Sequence, residues 1–413
     1  MITLTDKLTE CQDYIDKLRE EYIETQVREQ ERDALKGEIN IEQRDVKGYH
    51  GREILELLQN ADDAYQRSID SGEKPDCELE VTISYIDGIL TVSNTGTCFD
   101  KEGIKSIVQG NNSTKTGKYI GCKGTGFRSV LNWASEVRIH SGCFNVVFSK
   151  KIAEKIFDEI RDKPQIQKQL SKNPNLYIPM LSVPSNIDGC GRNDVTKIEI
   201  AIDSDKVNDD FSVSKQLNGI DLRILLFLPN ISKIIVITEN SHIVYSRTIV
   251  QGTLDKVSLQ KIVDGNVTIN EGFYLFNKTI EKVIKQDNEQ KDIRLAIAVP
   301  VDYSEFKPGN LYTYFPLMNT KSPFNCVLHA TYDLGENRNT IYNSNINKRV
   351  FQEQLGFLIE TANELVCNNL HDIAYRILVP VDYIANGKKF SAPFAAFGLE
   401  KVFLNNWKNK IFC

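Results

Sequence analysis

Residues 51–66 read GREILELLQNADDAYQ and have the pattern of a helix with two very different faces. Most of its circumference is apolar, through Ile54, Leu55, Leu57, Leu58, Ala61, Ala64 and Tyr65. Glu56, Asn60 and Asp63 fall at i, i+4 and i+7, so they form one narrow polar stripe on this helix. A helix that is apolar almost all round and still aligns two acids and an amide predicts a buried polar site.

The chemistry of the stripe suits metal-assisted hydrolysis. A buried carboxylate such as Glu56 can act as a general base on water. The side-chain oxygen of Asn60, one turn away, is a hard ligand of the kind that Mg²⁺ prefers. The alternative is that the stripe is a solvated helix face without a function. The small polar surface of this helix argues against it.

Composition limits the class of protein. The chain has 413 residues, 41% of them hydrophobic and 26% charged, with a formal net charge of −6. Its length predicts two domains, and its mild acidity argues against nucleic acid or an anionic membrane as the partner. It lacks an apolar run of the roughly 18 residues that a membrane span needs, and the charged N-terminus does not read as a secretory signal.

The nine cysteines are scattered singly along the sequence and form no CxxC pair. An odd number without paired spacing argues against a disulfide framework and against a zinc cluster. We therefore expect a protein of the reducing cytoplasm.

The remaining sequence divides into alternating helix and strand patterns. Residues 5–36 predict a charged helix that docks on something, such as a second copy of the protein. Asp87-Gly88 lies between two alternating runs, which predicts a β-hairpin over about 79–92. Further elements are expected as a helix at 101–108, a polar loop at 109–126, a helix at 127–135, a hairpin at 136–148, a helical segment at 150–171 and a strand at 196–202. After residue 212 a second α/β pattern follows, with a long amphipathic helix over 346–369.

A second motif, SNTGTCFD at 93–100, stands where the second strand of that hairpin ends. Asn94 carries an amide that can both donate and accept, so it can read the edge of a base. Gly96 allows a close approach of backbone to a ligand. A plain turn is the alternative interpretation.

A third motif, IGCKGTGFRSV at 120–130, places Gly121, Gly124 and Gly126 before a predicted helix. Such glycines let backbone N–H groups point at phosphates. The spacing is GxxGxG after a polar loop, so it fits neither a Walker A loop nor a Rossmann fingerprint.

The order of these three motifs, followed by a threonine-bearing strand, resembles the GHKL ATPase superfamily of gyrase B, heat-shock-90 chaperones, histidine kinases and MutL. The likeness covers residues 45–202, and DVKGYHGREILELLQNADDA with IGCKGTGFRSV is most similar to its sacsin-like, heat-shock-90-like branch. It implies an α+β fold, with a Bergerat-type ATP-binding sandwich followed by a transducer-like α/β domain. The implied domains are a helical segment at 1–36, the ATP-binding domain at 37–212 and the transducer-like domain at 213–413.

The resemblance also assigns roles to single residues. Glu56 matches the catalytic base, Asn60 the Mg²⁺ ligand, and Asp63 the acidic position one turn further on. The remaining nucleotide contacts would come from Asn94 and Gly96 (adenine box), Gly121, Lys123, Gly124, Gly126 and Phe127 (phosphate box), Thr196 (backing the adenine contact) and 109–120 (lid). The family usually has aspartate where this chain has Asn94, whose amide can accept from adenine or donate to guanine O6. We expect ATP.

By the same resemblance, the activity would be Mg²⁺-dependent ATP hydrolysis that drives lid closure and conformational change. Its output would be chaperone-like or part of a bacterial defence system, with an ATP-dependent homodimer and an unidentified protein client. Lys321 and Arg338 are candidates for a basic contact to the γ-phosphate from the second domain. Relatives often carry further domains, so the chain can be one part of a longer protein.

Three other functions remain to be weighed against this one. A nucleotide-gated binding module with little turnover is left open by Asn94, and the intact Glu56 argues against it. A DNA-acting GHKL ATPase is disfavoured by the acidic balance. A histidine kinase needs an upstream phospho-accepting histidine, and residues 1–49 contain none.

Overall fold

The computed structural model describes residues 3–28, 34–49, 51–72, 77–109, 126–206, 210–284, 290–335, 338 and 340–381. The fold is mixed α+β, as expected from the sequence. The described residues form two compact units. One comprises the residues up to Ile220 together with Lys233–Ile243, and the other comprises Asp221–Ser232 together with the residues from Val244 onward. The predicted domain boundaries after residues 36 and 212 stay predictions.

The first unit combines helices with a mostly antiparallel sheet. Its helices are α1 (Leu4–Val27), α2 (Ala34–Tyr49), α3 (Glu53–Asp70), α4 (Lys101–Gln109), α5 (Lys150–Ile160), α6 (Pro164–Lys172) and α7 (Val213–Asn218). Its strands are β1 (Leu79–Ile86), β2 (Ile89–Asn94), β3 (Ala134–Gly142), β4 (Phe144–Ser149), β5 (Ser185–Asn186), β6 (Asn193–Ile202) and β7 (Ile231–Thr238), in the sheet order β7-β1-β2-β6-β3-β4-β5.

The hairpin expected at Asp87-Gly88 is confirmed. Strands β1 and β2 pair in antiparallel register with Ile86 opposite Ile89. Asp87 and Gly88 both have positive φ angles, 51° and 75°, as a type I′ turn requires. This register also places Asn94, the last residue of β2, near the end of the hairpin opposite Val81.

The N-terminal helix is shorter than the sequence pattern suggested. A capping box between Thr3 and Asp6 starts α1, and the helix ends at Val27. Ile15 and Leu18 are buried, and α1 lies against β4, β5 and α6 of its own unit. The predicted docking surface of this helix is thus used within the chain.

Two other predicted helices are modified by local chemistry. The helix expected at 127–135 is a 3-10 helix over Gly126–Asn132, and β3 already begins at Ala134. The segment expected at 150–171 is divided into α5 and α6, with Pro164 as the first residue of α6. Proline lacks the backbone N–H that a continuous helix would need there, while it is well suited to a first helical position.

The second unit packs a sheet against a long helix. Its strands are β8 (His242–Val250), β9 (Lys256–Val263), β10 (Asn266–Ile284), β11 (Gln290–Pro300), β12 (Asn310–Thr313), β13 (Phe315–Lys321) and β14 (Val327–Ala330), in the order β8-β9-β10-β11-β14-β12-β13. Its helices are α8 (Asn345–Cys367) and α9 (His371–Leu378). Phe351, Leu355 and Leu358 of α8 share a buried core with Ile297 and Leu328 of the sheet.

Among the described residues, none of the helices has both the length and the apolar character that crossing a bilayer requires.

Candidate functional site

Helix α3 provides the scaffold of the candidate site, and its polar stripe is buried as predicted. Glu56 is 2% exposed and Asp63 is 1% exposed, whereas Asn60 is partly exposed. The helix is held in the core by its apolar side chains, of which Leu57, Leu58 and Ala61 are buried. Carboxylates are almost never fully buried unless their surroundings compensate the charge.

The structure adds a buried acid that the sequence pattern did not reveal. Glu53 is completely buried and accepts hydrogen bonds from Asn132 Nδ2 at 2.8 Å and from Gln216 Nε2 at 2.5 Å. Gln216 in turn accepts from the N–H of Ile54 at 3.3 Å. This acid therefore joins α3 to α7 and to the 3-10 helix, which is a structural role.

Glu56 has a different neighbour, the backbone of Gly126. A Cβ atom added to Gly126 would collide with Oε2 of Glu56 and would lie 3.2 Å from its carboxyl carbon. The chain that leaves the glycine-rich motif therefore runs directly against the predicted catalytic base. Any larger residue at this position would require the Glu56 carboxylate to move.

The same segment is anchored at its other side by Arg128, which is buried. Its Nη2 donates to the carbonyl oxygens of Ile107 at 3.1 Å and Val108 at 3.2 Å, near the end of α4. Phe127, a predicted site residue, is also buried. Arg128 thus joins the 3-10 helix that starts at Gly126 to the end of α4. Gly121, Lys123, Gly124 and the lid residues from 110 lie outside the described residues.

The Asn94 loop packs on the C-terminal half of α3. Thr97 donates from its N–H and its hydroxyl to the carbonyl oxygen of Ala64, at 3.3 and 2.9 Å, and is hydrogen-bonded to the hydroxyl of Ser68. A Cβ on Gly96 would lie 3.0 Å from the Cβ of Ala64. The second motif is therefore brought against the helix of the first motif, at Ala64 and Tyr65.

Asn94 itself is 7% exposed, and its Oδ1 accepts from the N–H of Gly96 at 3.0 Å. Thr196 on β6 lies directly opposite Asn94. The Thr196 hydroxyl is 2.6 Å from the hydroxyl of Ser141 on β3, which accepts from the N–H of Phe99 at 2.9 Å. Ser141 thus links the threonine to the Asn94 loop, and nothing in the sequence pattern singled it out.

The predicted Mg²⁺ ligand is the side-chain oxygen of Asn60. Within the described ranges, no group of three or more His, Cys, Asp or Glu side chains is placed to hold a metal ion. Mg²⁺ is commonly held by one or two protein oxygens together with waters and substrate phosphates. An amide oxygen from Asn60 fits that type of site and does not fit a dedicated protein cage.

The predicted basic contacts from the second half belong to the second unit. Lys321 is the last residue of β13 and is exposed, and Arg338 has a positive φ of 51°. Their contact with a γ-phosphate stays a prediction.

Comparison with known proteins gives one partial likeness. No family model matches the chain. Protein NO VEIN of Arabidopsis thaliana is 38% identical over 101 residues, which cover 23% of this chain. The same residues span only 3% of that plant protein.

Proposed function

We propose that the first unit binds ATP with Mg²⁺ and hydrolyses it, as a GHKL-type ATPase of the sacsin-like, heat-shock-90-like branch. The observation that carries the proposal is the contact between Glu56 and Gly126. It brings the end of the glycine-rich motif against the one buried acid that the resemblance assigns as catalytic base. Glycine-lined backbone beside a carboxylate suits a site where phosphate and water must meet.

The residues divide the work in this proposal. Glu56 takes a proton from the attacking water, and the low exposure of its carboxylate keeps bulk water away. Gly121, Lys123, Gly124 and Gly126 would contact the phosphates. Asn94 and Thr196, which face each other on β2 and β6, would bind the purine.

The side-chain oxygen of Asn60 would hold Mg²⁺, one helical turn from Glu56. When bound, this ion neutralises charge on the triphosphate. Asp63 lies a further turn along, next to the residue that accepts from Thr97. Asp63 would continue the polar stripe from the phosphate-binding residues toward the residues that bind the purine.

The order of elements in the first unit also supports a Bergerat-type sandwich. Acid helix α3, hairpin β1–β2, helix α4, the glycine-bearing residues and strand β6 come in the chain order that the resemblance implies, with β3, β4, β5, α5 and α6 between the last two. Lid closure, an ATP-dependent homodimer and a chaperone-like or defence output with a protein client are parts of the same proposal. They rest on the resemblance alone.

The test is phosphate release from ATP and from GTP in the presence of Mg²⁺. Glu56→Ala should lower release from ATP by about 10²–10⁴-fold, the contribution typical of a general base. Asp70→Asn, a change at the exposed end of the same helix, should leave the rate unchanged.

The result also separates the alternatives. Equal rates for wild type and Glu56→Ala would remove Glu56 as the base. Tight nucleotide binding without release from either protein would make the chain a nucleotide-gated module, and no binding would contradict the proposal as a whole.

A further inference from the structure

Two cysteines that lie far apart in the sequence belong to elements that pack together at the edge of the first unit, where α1 contacts β4 and β5. Cys11 belongs to α1, and Cys143 is a central residue of the two-residue turn between β3 and β4. Gly142, the other central residue, has a φ of 59°, as a type II′ turn requires at its first central position. This turn is therefore tight and presents the Cys143 side chain at a defined place.

Contacts on both sides of Cys11 hold α1 against this edge. The ammonium of Lys101 is 2.5 Å from Glu10 Oε1, and Asn186 Nδ2 donates to the carbonyl oxygen of Gln12 at 3.1 Å. One turn further along, the ring of Tyr14 packs edge-on against Phe144 with centroids 6.4 Å apart. Since Phe144 directly follows Cys143, this packing directs the same face of α1 toward the turn.

The two thiols interact across this contact. Burial, together with the neighbouring Cys143 thiol, raises the pKa of the Cys11 thiol to about 11. Both side chains are partly exposed, so small oxidants can reach them. Cys98 lies near Gly142, yet its thiol is directed to the carbonyl oxygens of Asn193 and Asp194, at 3.7 and 3.9 Å.

We propose that Cys11 and Cys143 are a reversible oxidation site, which forms a disulfide between helix α1 and the β3–β4 turn on exposure to hydrogen peroxide. The Cys143 thiolate attacks one peroxide oxygen, the O–O bond breaks and hydroxide leaves, which gives a sulfenic acid. The sulfur of Cys11 then attacks the Cys143 sulfur, and the hydroxyl group leaves with the thiol proton as water. Two thiols and one peroxide thus give one disulfide and two waters.

In this sequence Cys143 reacts with peroxide first, because the raised pKa of Cys11 leaves little of its thiolate at neutral pH. Cys11 reacts second and gives up its proton as it attacks the sulfenic acid of Cys143. The covalent link would fix α1 to the hairpin that carries Ser141. Since Ser141 is bonded to Thr196 and to the N–H of Phe99, the link would restrain one side of the candidate nucleotide site. The oxidation site itself does not depend on the proposed ATPase activity.

The experiment uses the full chain treated with hydrogen peroxide, blocked with iodoacetamide and digested with trypsin without reduction. Cys11 lies in the tryptic peptide 8–17 and Cys143 in the peptide 139–150, each with a single cysteine. We expect these two peptides joined by a disulfide and separated by dithiothreitol. The nine cysteines of the chain should then give two fewer free thiols when titrated in denaturant.

Matched serine variants provide the controls. Cys11→Ser and Cys143→Ser should each abolish the joined peptide, while Cys77→Ser and Cys367→Ser, at exposed cysteines, should retain it. Joining of 139–150 to the peptide with Cys98 would contradict the assignment. So would a Cys143 that gains two or three oxygens while Cys11 stays free in the wild-type protein.

Discussion

Buried or partly buried charged groups occur in both units of the chain, but their neighbours differ. In the second unit the Tyr312 hydroxyl donates to Asp221 Oδ2 at 2.5 Å, and Arg223 donates to both carboxylate oxygens of Glu271 at 2.9 and 2.7 Å. In each pair a side-chain donor, a hydroxyl or a guanidinium, is hydrogen-bonded to a carboxylate. They read as structural pairs, of the kind that buried polar groups need in any core.

In the first unit, Glu56 lies against the backbone of Gly126. Three residues earlier on the same helix, Glu53 accepts from two side-chain amides, like the structural pairs of the second unit. Both acids are buried, so burial does not separate them. The proposal assigns catalysis to Glu56, whose carboxylate lies against the backbone of Gly126.

Among the substitutions that test this comparison, a change at Gly126 should have the largest effect on stability and ATP turnover. Gly126→Ala places a methyl group on the Glu56 carboxylate, so it should cost about 1–3 kcal/mol of unfolding free energy and lower ATP turnover by at least about tenfold. Denaturant unfolding and phosphate release measure the two effects. Gly191→Ala, where an added Cβ has nothing within 4 Å, is the matched control, and equal behaviour of the two variants would contradict the role of the Gly126 contact.

Acid should destabilise the second unit through His329. Burial lowers the pKa of His329 to about 3, and Arg294 adds to the shift. Phe227 and Tyr314 pack against its ring. In the unfolded chain the His329 imidazole is protonated below about pH 6.5, whereas in the folded chain it stays neutral down to about pH 3. The free energy of unfolding therefore falls as pH falls from about 6.5 to about 3.

At pH 4.5 the loss from His329 should be on the order of 2–3 kcal/mol. His329→Phe should lessen the dependence of unfolding free energy on pH between 6.5 and 4.5 by this amount. The exposed His371 offers the control variant His371→Phe, which should leave the dependence as it is. A wild type and His329→Phe with parallel pH profiles would show that His329 is protonated in the folded protein.

A smaller effect is expected from the structural pair of Tyr312 and Asp221. Tyr312 is 1% exposed, and Tyr312→Phe removes the hydroxyl that donates to Asp221. The expected cost is about 1–2 kcal/mol of unfolding free energy. Tyr375→Phe, at a tyrosine that is 66% exposed, should cost nothing measurable, and an equally silent Tyr312→Phe would mean that the pair contributes little.

Local patterns in the sequence predicted much of the site's framework. The stripe of Glu56 and Asp63, the turn at Asp87-Gly88 and the position of Asn94 at a strand end all depend on short-range periodicity, and the structure has them. The resemblance assigned Thr196 to the same adenine contact as Asn94, and the structure pairs the two residues across β2 and β6. Whether these residues bind nucleotide stays a prediction.

Features that depend on distant pairings could not be predicted in the same way. The partner of Glu53 lies 163 residues away, at Gln216, and Cys11 meets Cys143 through the docking of a helix on a turn. Tyr314, with a φ of 62°, separates β12 from β13. Each is decided by tertiary packing, which periodicity along a single element does not contain.

The most direct test of the central claim is hydrogen exchange of the Glu56→Ala protein with and without Mg²⁺ and ATP. Bound nucleotide should slow exchange in the described segments 56–64 and 94–99 by at least about tenfold, because a ligand protects the elements it contacts. Strand β14 of the second unit is the internal reference and should not change. Unchanged exchange in 56–64 and 94–99 at saturating ATP, or protection confined to the second unit, would contradict a nucleotide site on α3.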